Sequence, residues 1–145
     1  MRLEAVVVPV GDVDRAKTFY RAAGFVEDVD YASGDAFRVV QFTPPGSAAS
    51  IVFGVGVTSA RSGSVEGLVL GVPDIQAARH ALLARGIDVS DLFHDEGGVF
   101  CRVSPSHRVL GPDPGGRGHA TFARFRDPDG NAWIIQGVRH VESRL

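Results

Sequence analysis

The chain has 145 residues with a formal net charge of −2, 44% apolar and 22% charged. That composition suits one globular domain burying roughly 68–70% of its unfolded surface, and it gives no general field for nucleic acid or an anionic membrane. The single cysteine, Cys101, excludes an internal disulfide and a Cys-rich zinc site. No stretch nears the ~18 apolar residues of a membrane helix, and the early acid Glu4 argues against a signal peptide, so the expected location is the cytoplasm.

In chain order, Val6–Val10 is an apolar β-branched run and reads as a strand. Asp12 is placed to cap a helix carrying Val13, Ala16, Phe19 and Tyr20 at helical spacing, and Gly24 is placed to stop it. Three shorter apolar stretches follow at Phe25–Tyr31, Phe37–Phe42 and Ser50–Gly54, the last two joined by the turn Thr43-Pro-Pro-Gly46. A Ser- and Gly-rich link runs from Val57 to Ser64.

The same events then repeat. Leu68–Val72 reads as a strand, Asp74 as a cap, Ile75, Ala78, Leu82 and Leu83 as an apolar helix stripe, and Gly86 as the stop. Asp12 and Asp74, and likewise Gly24 and Gly86, keep a constant offset of 62 residues, the mark of an internal repeat. The later strands are expected at Ile87–His94, Ala120–Arg126 and Asn131–Val138, with the turn Asp127-Pro-Asp-Gly130 before the last. Trp133 and Arg124 are expected to share that hairpin's outer face. The fold class is therefore α+β. Two tandem βαβββ modules (1–56 and 65–140, linker 57–64) form a single domain over 1–145, with curled sheets around a cup and helices outside.

With "PVGDVDRAKTFYRAAGF", "VPDIQAARHALLARGI" and "DPDGNAWIIQ" in this order and duplicated, the chain resembles the vicinal oxygen chelate superfamily. That family includes glyoxalase I, bleomycin- and fosfomycin-resistance proteins and extradiol dioxygenases. The resemblance covers nearly the whole chain and implies the glyoxalase/bleomycin-resistance fold, but it does not imply one reaction. It also implies where metal-binding members carry ligands: on the first and last strands of each half. Those positions here are Ala5, Val52, Gly67 and Ile134, none of which offers an N, O⁻ or S⁻ donor. The expectation is no metal and no cofactor.

Strand alternation puts Val7 beside Ala5, Val69 beside Gly67, and Gln136 beside Ile134 on the inward face, with Gln41 on the equivalent face of the first half. Thr121 and His119 are expected near Gln136 across the turn. A mostly apolar lining with a few amides is the usual make-up of a small-molecule site.

The stretch between His94 and His119 far exceeds its counterpart at residues 32–35 and suggests a lid. It supplies Arg102 as an anion holder, alongside Arg108 and Arg117, and His94, His107 and His119 as candidate acid–base groups. Adjacent residues on a strand point apart, which weakens His94-Asp95-Glu96 as a metal site.

Two functions follow. One is binding of an apolar or aromatic metabolite or antibiotic, of the bleomycin-resistance kind. The other is a glyoxalase-like enzyme (lyase, isomerase, cyclase or dioxygenase), metal-independent in its favoured form. The expected partner is a small molecule. A homodimer is expected, and neither nucleic acid nor membrane is.

Overall fold

Asp12 and Asp74 cap two ten-residue helices, α1 (Val13–Ala22) and α2 (Ile75–Ala84), each aspartate accepting a backbone N–H three residues on at 3.0 Å. Both helices stop at a glycine. Gly24 (φ 93°) and Gly86 (φ 82°) hold the left-handed conformation, and the next residue's N–H reaches back to Tyr20 and Leu82 at 3.0 Å. The computed structural model describes residues 1–98 and 100–138, so 139 and 140, at the end of the expected second module, lie outside the described residues.

The strands are β1 (Ala5–Val7), β2 (Val26–Ser33), β3 (Phe37–Thr43), β4 (Ser50–Val55), β5 (Leu68–Val72), β6 (Phe93–Asp95), β7 (Arg108–Leu110), β8 (Phe122–Arg126) and β9 (Ala132–Gly137). They form two mixed sheets, ordered β1-β4-β3-β2 and β5-β9-β8-β6-β7. Each sheet opens with a parallel pair, β1 with β4 and β5 with β9. The order is the same in both, with β7 as an added edge.

The chain divides into two compact units. The first is Met1–Glu66 with the turn segment Arg126–Ala132; the second, among the described residues, is Gly67–Phe125 with 133–138.

In the first unit the core face of the sheet carries Val40, Phe42, Ile51 and Phe53, all buried. Tyr20, fully buried on α1, packs its ring 5.7 Å from Phe53 and 5.4 Å from Phe25. The Asp127–Gly130 turn belongs to this unit and explains its own sequence. Asp127 accepts from Tyr20 Oη (2.8 Å), Asn131 Nδ2 (2.7 Å), Asn131 N (2.9 Å) and Asp129 N (3.0 Å). Asn131 also donates to the Pro9 carbonyl at 2.8 Å and accepts from Val65 N at 3.1 Å. Asp129 accepts from Gly11 N and from Arg15.

In the second unit Trp133 stacks on Phe125, centroids 5.9 Å apart and nearly coplanar, beside buried Ala123 and Ile135.

Four expectations are corrected. Trp133 does not share a face with Arg124. The bonds Gly137 N to Thr121 O and Asp127 N to Asn131 O set the hairpin register, which pairs Trp133 with Phe125 and leaves Arg124 on the other face opposite Ile134. The strand expected over Ile87–His94 is only Phe93–Asp95, because the Ser90 hydroxyl takes the Arg124 N–H that a backbone carbonyl would have held. The first strand ends at Val7, although Val8 N still reaches Val52 O; Pro9 has no N–H with which to continue the ladder. Leu83, placed on the apolar stripe of α2, is 40% exposed.

Candidate functional site

Register places the expected ligand-facing residues on the sheet faces turned away from the helices. In the first unit Val7 pairs with Val52, which pairs with Gln41; Ala5 pairs with Ser50. In the second unit Val69 pairs with Ile134, and Gly71 with Gln136. Val52 and Ile134 therefore hold equivalent places, one beside Val7 and the other beside Val69. This is the fourth-strand register that the sequence alone left open.

These faces are apolar and open. Val7 is 39% and Val69 53% exposed, Ala5 and Gly67 are exposed, and Val52 and Ile134 are half-buried. Gly67 has φ +83° with open space around it, so its lack of a side chain reflects backbone conformation rather than crowding.

Each face carries polar groups. In the first unit Gln41 donates to Asp28 Oδ2 and Ser50 Oγ, both at 3.4 Å. Thr43 Oγ1 donates to the same Asp28 oxygen and lies 2.7 Å from Ser50 Oγ. Asp28 is the extra residue of a bulge between Glu27 and Val29, which turns its carboxylate onto this face. Nothing in the local sequence announces that bulge. In the second unit Gln136 Nε2 donates to the His119 carbonyl at 2.8 Å, the neighbour expected for it, whereas Thr121 Oγ1 is taken by Asp113 N.

The long insertion is built rather than loose. Buried Asp95 accepts from Arg102 Nη2 (2.8 Å), Arg102 Nε, Arg102 N and Gly97 N. Buried Asp113 accepts from Arg117 Nη2 (2.7 Å), Arg117 Nε and Arg117 N. The guanidinium and the backbone N–H groups hold the Asp95 carboxyl well below the usual range, and Arg117 brings Asp113 down to about 2. Arg102, an expected anion holder, thus has its fork filled by Asp95.

The three candidate histidines are not brought together. His94 Nδ1 lies 2.9 Å from the Gly111 carbonyl, His107 Nδ1 lies 2.7 Å from Glu96, and exposed His119 contributes its carbonyl to Gln136.

A divalent metal does not fit the positions that the resemblance implies. Ala5, Val52, Gly67 and Ile134 carry no donor atom, and no three His, Cys, Asp or Glu side chains converge among the described residues.

The model of the Glyoxalase/Bleomycin resistance protein/Dioxygenase superfamily matches residues 2–135. The chain belongs to this superfamily. Among solved structures, this superfamily member is similar to TnmS3, an antibiotic binding protein from Streptomyces sp. CB03234. Identity is 27%, 94% of each chain is covered and the TM-score is 0.65. It is also similar to a glyoxalase/bleomycin resistance protein from the same organism, at 27% identity, covering 93% of this chain and 99% of that one, TM-score 0.64. A superfamily member from Sphaerobacter thermophilus DSM 20745, at 21% identity, covers 94% and 96% with a TM-score of 0.66 and shares the fold. No match was found among curated proteins. Among the described residues no helix is long and apolar enough to cross a membrane.

Proposed function

We propose that this superfamily member binds an apolar or aromatic small molecule, a metabolite or an antibiotic, without a divalent metal. The binding surfaces are the sheet faces turned away from the helices. The observation that carries this reading is the partly exposed apolar rows Ala5–Val7–Val52 and Gly67–Val69–Ile134, at the places where metal-binding relatives are expected to carry ligands. Such rows lose water-exposed area when a ligand covers them, and their few amides give orientation. The similarity to an antibiotic binding protein supports binding over turnover.

The test is a thermal-shift screen of aromatic compounds on chelator-treated protein, followed by recovery of the bound compound by native mass spectrometry. Stoichiometric recovery of unchanged compound is expected. Conversion of the compound, or binding that requires added metal, would overturn the reading.

The same reading has the chain acting in the cytoplasm as a homodimer, for which the open edge strand β2 leaves room. Light scattering on the eluted protein tests the dimer.

A further inference from the structure

The open face of the first unit's sheet changes character along its strands. Val29 pairs with Gln41 and Gln41 with Val52; two residues on, Tyr31 pairs with Val39 and Val39 with Gly54. Strands β2, β3 and β4 are hydrogen-bonded neighbours, so these rows are continuous. The Tyr31 ring is 6.5 Å from that of Phe37, and both are exposed. In the other direction the face turns polar, where Thr43, buried Ser50 and the bulged, exposed Asp28 meet beside Gln41.

The protons of this cluster are all committed. An ionised Asp28 only accepts, so its neighbours must donate to it. Thr43 gives its hydroxyl proton to Asp28 Oδ2, which makes Ser50, 2.7 Å from Thr43, the donor in that pair. Gln41 turns Nε2 to Asp28 and to Ser50 Oγ, which fixes its amide and leaves its carbonyl oxygen free. What the cluster still offers is acceptors: Asp28 Oδ1 and Gln41 Oε1 have no partner among the described residues. Asp28 also has no ion pair among them, whereas nearby Asp30 holds Lys17 and Arg38.

We propose that the polar end of this face is a site for the protonated amine of an apolar or aromatic ligand. Asp28 and the Gln41 carbonyl oxygen accept its N–H groups, and the adjoining part of its apolar body lies on Val29 and Val52. The ligand class is thereby narrowed to organic cations. The proposal rests on the small-molecule reading above and adds its charge. An ammonium brings three donors and no acceptor, the complement of a cluster left with acceptors alone. Thr43, Ser50 and the Gln41 amide hold the carboxylate in place, so little is left to order on binding.

The experiment compares 2-naphthylmethylamine, protonated at neutral pH, with its neutral isostere 2-naphthylmethanol by titration calorimetry on the full chain. The proteins are the natural sequence, Asp28→Asn and, as a charge-matched control, Asp88→Asn, whose residue is exposed in the second unit. The natural protein and the control are expected to prefer the amine by about fivefold or more. Asp28→Asn is expected to abolish that preference while keeping the alcohol's affinity, which also reports that the variant is folded. Equal binding of both probes to the natural protein, or an undiminished preference in Asp28→Asn, would overturn the cation site and leave the small-molecule reading intact. Loss of both probes in Asp28→Asn would make Asp28 a structural residue of the bulge and overturn its charge role. Binding of neither probe to the natural protein would overturn both readings.

Discussion

Removing one oxygen atom from Tyr20 tests how the first unit is held together. Its hydroxyl donates at 2.8 Å to Asp127, a buried carboxylate whose other donors are Asn131 Nδ2, Asn131 N and Asp129 N. Tyr20→Phe keeps the ring against Phe25 and Phe53, so packing is nearly conserved and the change isolates the hydrogen bond. A bond to a charged acceptor in such a site contributes about 1.5–3 kcal/mol, which for a chain of this size lowers Tm by roughly 4–10 °C. The assay is chemical and thermal denaturation followed by circular dichroism. Asp127→Asn completes a double-mutant cycle. The amide then turns a donor toward either Tyr20 or Asn131, and the double variant should cost less than the two single changes added together, because they share one interaction. A loss under about 0.5 kcal/mol for Tyr20→Phe would refute the reasoning and assign the core's stability to the rings alone.

At Gly98 (φ 84°) a Cβ would clash with the Arg117 guanidinium, so Gly98→Ala should displace Arg117 from Asp113 and cost about 1–2 kcal/mol in backbone strain; denaturation and amide shifts in the insertion report it. Asp113 is held down to about 2 by Arg117, so its contribution is present above the unfolded carboxylate value of about 3.9 and is lost as pH falls from there through about 2. Amide exchange in the insertion should accelerate over that window, and no change there would refute the pairing. Arg102→Ala strips Asp95 of its guanidinium and should raise the proteolytic sensitivity of the insertion while leaving Tyr20 and its core intact. Val69→Trp covers the open apolar row of the second unit and should abolish binding of any aromatic ligand found by the screen; unchanged affinity would remove that face from the site.

The repeat was legible because its signals are local. A capping aspartate, an apolar helix stripe and a stop glycine each act within a few residues, and all recur at a fixed offset. Strand faces were legible where alternation is regular, as for Val7, Val69 and Ile134. They failed where a side chain replaces a ladder bond or a hairpin register decides the face. The Ser90 hydroxyl accepts the Arg124 N–H and so delays the start of the strand to Phe93, and the bonds that set the β8–β9 hairpin register put Arg124 on the open face. The bulge at Asp28 follows from pairing across strands, which no local pattern encodes.

The candidate site shows the same division between residue type and partnership. Arg102, Arg108 and Arg117 look alike in the sequence, six to nine residues apart in a polar insertion. What separates them is which carboxylate the fold brings near. Asp95 ends β6 where Arg102 can return to it, and Asp113 lies four residues before Arg117, within reach of a turn. Arg108 sits on β7, a strand whose pairing with β6 commits its backbone and directs its side chain over Phe93. A paired arginine stiffens the insertion, and its charge is already compensated. Arg108 instead spends its guanidinium on the Phe93 ring and the Val103 carbonyl. The insertion thus combines two paired arginines that hold its shape with a third that packs against a ring.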